Sequence, residues 1–208
     1  LIEASQDCEE MPSKTFEILR HMLRQSHKVI LGGAKNSGKS WLAIDMALAI
    51  AHGRPWLNVP SEESQVLFVN LELDSGSFVR RLWEVAQKRG DNPQSPYIDF
   101  LHLMGVDKNV AEFADLLVKR IRGASQWEKK EYTTIFIDGM SKLPGFSGAK
   151  LMATGESVSL ALALDKIVAL TGAAVVVVTD DIESVSDQIC EDYQIQIEAS
   201  ESAPSRVI

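Results

Sequence analysis

No apolar run in this chain approaches the roughly 20 residues that a membrane-spanning helix needs. The longest runs are Trp41 to Ala51, which Asp45 interrupts, and Ala173 to Val178. No membrane partner is therefore expected, and the chain reads as soluble and cytoplasmic. Cysteine is scarce as well. Cys8 and Cys190 stand apart, with no CxxC and no histidine spaced for a metal site. That excludes a disulfide framework, argues against zinc and suits a reducing compartment. The acidic opening LIEASQDCEE carries no basic, apolar signal segment, as expected either of a piece cut from a longer protein or of a mature cytosolic domain.

Positive charge is in short supply. Lys and Arg number 21 against 29 Asp and Glu, a net charge of −8, so no broad electrostatic footprint for nucleic acid is expected. DNA binding would have to rest on a few basic loops, because counterion release depends on local contacts. The pairs Arg80/Arg81, Lys88/Arg89, Lys119/Arg120 and Lys129/Lys130 read as solvated helix ends. What is present is ordinary globular material: 45% apolar and 24% charged over 208 residues, enough for one domain around one core.

Apolar runs and breakers alternate along that domain. HKVILGG predicts a strand running into glycine, followed by a helix from about Gly38 to His52. QVLFVNLE is continuously apolar, as suits a strand covered on both faces, and SGSFVRRLWEVAQKRG then opens with serine caps and closes at Gly90. YIDFLHL, YTTIFID and AAVVVVTD predict three more strands. Between them, KNVAEFADLLVKRIRG predicts an amphipathic helix with Val110, Phe113, Leu116, Leu117 and Ile121 at helical spacing and Gly123 as its stop. ESVSLALALDKIVALTG predicts another helix. This alternation implies an α/β fold, a mostly parallel sheet with helices on both faces, as a single domain over 1–208. Its core spans 27–198. SKTFEILRHML, capped by Ser13, predicts a short helix in a lead-in segment 1–26. YQIQIE alternates like an edge strand, and 199–208 is a tail or edge strand.

Gly33, Gly38, Lys39 and Ser40 fit GxxxxGKS, with Ala34, Lys35, Asn36 and Ser37 between the glycines. Such a loop turns successive amide N–H groups inward around a β-phosphate at the positive end of a helix. Lys39 would reach the β- and γ-phosphates, and the Ser40 hydroxyl would bind Mg²⁺. Trp41 follows directly and is counted with the site, while the rest of that run to Ala51 reads as core. Asp138 ends the strand TTIFID, where a carboxylate would face the metal from the carboxyl edge of the sheet. Glu72 ends QVLFVNLE on the same edge, placed to act as general base toward a water at the γ-phosphate. The ligands expected are ATP and Mg²⁺.

Four blocks carry a resemblance: VILGGAKNSGKSWLAIDMALAIAHGRPW, VLFVNLELDSGSFVRRL, TIFIDGMSKL and LTGAAVVVVTDD. In that order they resemble the RecA/DnaB-type P-loop ATPases, most nearly the RepA-like hexameric helicase branch, over residues 27 to 198. The resemblance implies a RecA-like fold, Glu72 as catalytic glutamate and Arg81 as a nucleotide-site arginine. It also implies self-association into a hexamer or other ring, with the loop from Gly139 to Gly155 facing the channel. There Lys142 and Lys150 could touch single-stranded DNA.

The chain also departs from that family's pattern. Where paired histidines usually end the fifth strand, it carries Thr179, Asp180 and Asp181, and carboxylates repel a triphosphate unless cations intervene. The position expected for an arginine finger falls near Gln194, and no arginine lies between Arg122 and Arg206. Two functions therefore stand: an ATPase, ring-forming helicase or motor of DNA replication, recombination or repair, and a nucleotide-binding regulator or scaffold with little turnover. A small-molecule kinase is disfavoured, because it leaves Glu72 unexplained.

Overall fold

The computed structural model describes residues 16–144, 157–180 and 193–197. Its first element departs from expectation. The segment predicted as a lead-in helix is an antiparallel hairpin of β1 (Glu17–Leu19) and β2 (Leu23–Arg24), and Ser13 lies outside the described residues. Tertiary contacts override the helical spacing here. Ile18, Leu19 and Leu23 are fully buried, Arg24 pairs with Glu17 at 2.8 Å, and the segment at 60–62 bonds to the outer backbone of β1.

Among the described residues the remaining strands and α-helices are β3 (Lys28–Gly33), α1 (Lys39–Ala51), β4 (Val66–Asn70), α2 (Ser75–Arg89), β5 (Ile98–His102), α3 (Val110–Glu128), β6 (Thr134–Asp138), α4 (Ser157–Thr171), β7 (Ala174–Thr179) and β8 (Tyr193–Ile197). Six strands form one sheet in the order β5-β4-β6-β7-β3-β8, all parallel. β8 takes the edge beside β3, as its alternating sequence suggested.

The chain runs from β3 to β4 and β5 through α1 and α2. It returns to β6 and β7 through α3 and α4. Travel in opposite directions with one handedness of crossover puts the two helix pairs on opposite faces. The core is split accordingly: α1, α2 and the hairpin close one apolar cluster, and α3 and α4 the other. Strands buried on both sides have no polar face, which is why Val66–Val69 and Ala174–Val178 read as unbroken apolar runs. Phe68 and Phe136, in register on β4 and β6, stack at 5.6 Å.

Three local signals resolve differently from the sequence reading. α2 is capped by Asp74, whose carboxylate accepts from Ser77 N at 2.9 Å, rather than by a serine. α3 passes through Gly123 and stops at Lys129 in the left-handed region. A capping box between Asn109 and Glu112 and a buried stripe packed on α4 outweigh the ~1 kcal/mol that an interior glycine costs. Nor are the basic pairs all solvated helix ends. Arg89 bridges Asp45 (2.8 Å) on α1 and the buried Asp91 (2.7 Å), tying α1 to the end of α2. Lys130 pairs with Asp99 at 2.7 Å.

Candidate functional site

Where β3 ends, the chain must leave the sheet at once, because β8 crowds it. A Cβ on Gly33 would lie 2.7 Å from the Ile197 carbonyl oxygen and 3.2 Å from the Ile197 Cβ, and φ is +154°. Only glycine fits there. The loop then turns through Asn36 at φ 62°, closed by Ser37 N bonding to Ala34 O at 3.1 Å. Gly38 caps α1 without a side-chain hydrogen bond, and no acidic residue sits in the first turn. The positive helix end is left clear for an anion. Lys39 folds back across the loop, its ammonium donating to Gly33 O (3.0 Å) and Ala34 O (2.8 Å).

Register carries the other half of the site to the same level. Asn70, Asp138 and Val178 are sheet neighbours at the carboxyl ends of β4, β6 and β7. Asp138 is 1% exposed, and among the described residues its Oδ2 has no hydrogen-bond partner. Burial pushes its carboxyl up to about 6; the Ser40 hydroxyl hydrogen-bonded to it opposes that rise, Glu72 adds to it, and Arg81 and Lys39 oppose it. A buried carboxylate with one oxygen unsatisfied, beside a hydroxyl at a helix start, is a donor set that suits a small hard dication.

Glu72 is not the last residue of its strand. β4 ends at Asn70, and Glu72 lies two residues beyond on a bend that Asn70 builds. The Asn70 amide donates to Leu73 O (2.7 Å), and its Oδ1 accepts from Glu72 N (3.2 Å) and Leu73 N (3.0 Å). Its Nδ2 also lies 3.2 Å from His102 Nδ1. This fully buried asparagine competes with the ladder for the backbone, so the strand ends early and Glu72 is turned out at the sheet edge. Gly139 (φ 90°) abuts that bend: a Cβ there would fall 2.8 Å from the Glu72 Cβ.

These groups share one cleft of ≈ 270 Å³, bordered by the phosphate-type loop, Trp41, Glu72, Arg81, Asp138 and Asp180. Arg81 sits over the Trp41 ring at 5.4 Å, so α2 presents its guanidinium from the first turn of α1. Not every sequence assignment converges there. Lys142, read as a channel residue, lies on a short 3₁₀ turn, Met140–Lys142, and lines this cleft. Gln194 is exposed midway along the edge strand β8, opposite Ile30. Lys150 and Asp181 lie outside the described residues. The sequence reading missed Asn70, whose signal was a polar residue inside an otherwise apolar strand.

The Asp138 carboxyl makes a prediction about pH. Its proton is held more tightly folded than unfolded, so folding stability falls as pH rises from about 4, the ordinary carboxylate range, through about 6, and is level above. The burden is about 3 kcal/mol at neutral pH. Without divalent cations, the unfolding free energy of Asp138→Asn minus that of the parent chain should therefore grow by roughly that amount between pH 4 and pH 7 in urea titrations. A flat difference would mean that the carboxyl is solvated.

A family model described as an AAA domain matches residues 6–180. Among solved structures, the chain is similar to a KaiC-like protein from the hyperthermophilic archaeon Pyrococcus horikoshii. The identity is 14% and the TM-score 0.48, over 81% of this chain and 71% of that one. No curated protein matches. No helix among the described residues is long and apolar enough to cross a membrane.

Proposed function

The chain belongs to the AAA-domain family as a RecA-like P-loop ATPase, and from that premise we propose that the cleft binds ATP with Mg²⁺ and hydrolyses it. One observation supports this above the others: Lys39, Ser40, Glu72 and Asp138, from three separate parts of the chain, border a single cleft at the carboxyl edge of the sheet. The loop amides and the start of α1 would hold the β-phosphate, with Lys39 across the β- and γ-phosphates. Ser40 and Asp138 would hold Mg²⁺, and the unpartnered Asp138 Oδ2 fits that role. The ion's contribution is charge neutralisation on the phosphates.

Glu72 would take a proton from water as its oxygen attacks the γ-phosphorus, while the bond from that phosphorus to the bridging oxygen breaks and ADP leaves. Arg81, held over Trp41, supplies a further cation at the cleft. Within this reading the whole of 1–208 is one ATPase domain, and the protein works as a ring, a hexamer or another closed assembly, on single-stranded DNA in replication, recombination or repair.

A second reading draws on Asp180, which brings a carboxylate to the cleft beside Glu72 and Asp138. Three carboxylates near a triphosphate disfavour fast turnover, and the chain would then be a nucleotide-sensing regulator or scaffold. ATP hydrolysis measured with and without single-stranded DNA separates the two. Turnover that rises with DNA supports the motor, and micromolar binding with negligible turnover in both conditions supports the regulator. Absence of nucleotide binding would overturn both.

A further inference from the structure

We propose that Lys142 contacts the terminal phosphate of the bound nucleoside triphosphate from within the same chain, a role that rests on the ATP reading above. The residue follows Asp138 by four positions, and its backbone is fixed. Lys142 N bonds to Gly139 O at 2.9 Å and Leu143 N to Met140 O at 3.1 Å. Met140 and Leu143 are buried in the α3/α4 cluster, so the two sides of the turn are locked into the core, while Lys142 is exposed on the cleft. Among the described residues no side chain pairs with its ammonium.

Position within the cleft selects the phosphate. The turn begins at Gly139, where a Cβ would fall 2.8 Å from the Glu72 Cβ and 3.0 Å from the Glu72 N, so Lys142 and Glu72 belong to the same end of the site. That end faces away from β8 and the Gly33 side of the loop, because β4 and β6 lie across β7 from β3. The loop amides and Lys39 serve the phosphate seated on α1. A cation on the Glu72 side meets the phosphate beyond it, which a diphosphate lacks.

Charge balance gives the cation a task. Among the described residues, Lys35, Lys39 and Arg81 are offset one for one by Glu72, Asp138 and Asp180, and Lys142 is the fourth cation lining the cleft. Without it the described lining carries no net positive charge to set against a triphosphate. The sequence offers no arginine between Arg122 and Arg206 for a partner subunit to contribute from β8. A lysine supplied in cis meets that need with a single point charge.

The experiment is calorimetric titration of the full chain with Mg²⁺ and either a non-hydrolysable ATP analogue or ADP, for the parent, Lys142→Gln and Lys142→Arg. Loss of one charge-assisted hydrogen bond should weaken the triphosphate about tenfold in Lys142→Gln. ADP should change less than about twofold, and Lys142→Arg should recover most of the loss. Equal weakening of both nucleotides, or of neither, overturns the assignment while leaving the ATP reading standing. So does a loss confined to oligothymidine binding, which would return Lys142 to a DNA channel. A parent chain that binds neither nucleotide overturns the ATP reading and this inference together.

Discussion

Lys39→Ala is expected to abolish ATP binding, with affinity falling at least ~10²-fold. The side chain has two jobs that alanine removes together. It places a cation where two phosphates would carry several negative charges, and hydrogen bonds to charged groups are worth about 1.5 to 3 kcal/mol each. It also holds the loop in shape, bridging Gly33 O and Ala34 O across the turn that begins at the end of β3. Titration with a fluorescent ATP analogue measures the effect. A melting temperature within a few degrees of the parent chain would show that the fold survives, since Lys39 lies on the cleft rather than in the core. ATP affinity unchanged in this variant would remove the phosphate assignment at its root.

The second large effect concerns turnover rather than binding. Glu72→Gln should keep ATP affinity within a few-fold and lower kcat by about 10²- to 10⁴-fold, the usual worth of a positioned general base. The substitution preserves shape and hydrogen-bonding reach but cannot take up the water's proton. It also removes a negative charge that raises the Asp138 carboxyl, so tighter ATP·Mg²⁺ binding alongside slower hydrolysis is the consistent outcome. Steady-state phosphate release under saturating ATP reads kcat directly. A rate equal to that of the parent chain would reduce Glu72 to a bend residue set by Asn70.

The fold was largely legible because its strands are buried on both faces. An unbroken apolar run such as VLFV or AVVVV has one comfortable place, between two helical layers, and alternation with helical segments implies parallel pairing, whereas the strand order is seen only in the structure. The phosphate-type loop was legible for a related reason: its requirements are local in sequence, a glycine at each end and a lysine and serine at the helix start.

What escaped depended on partners distant in the chain. The 16–24 segment has helical spacing, and only its packing against 60–62 turns it into a hairpin. Gly123 looked like a stop because local propensity says so, whereas α3 is decided by its capping box and by α4. Glu72 was placed on the correct edge but on the wrong element, since nothing within QVLFVNLE announces that the Asn70 amide will bond Leu73 O and end the strand two residues early. The resemblance put Lys142 on a channel loop, and nothing near it in sequence tells that Met140 and Leu143 are buried on either side and that the residue lines the cleft with Asp138.

The contact between Gly33 and Ile197 makes two distant stretches of polypeptide answerable to each other. Residue 33 can acquire a side chain only if the last rung of β8 withdraws, and among the described residues β8 is an outer strand paired on one flank, by β3. The tolerance of the phosphate-type loop to variation is thus written in β8 as well as in the loop, because a change at Ile197 meets the glycine that opens it.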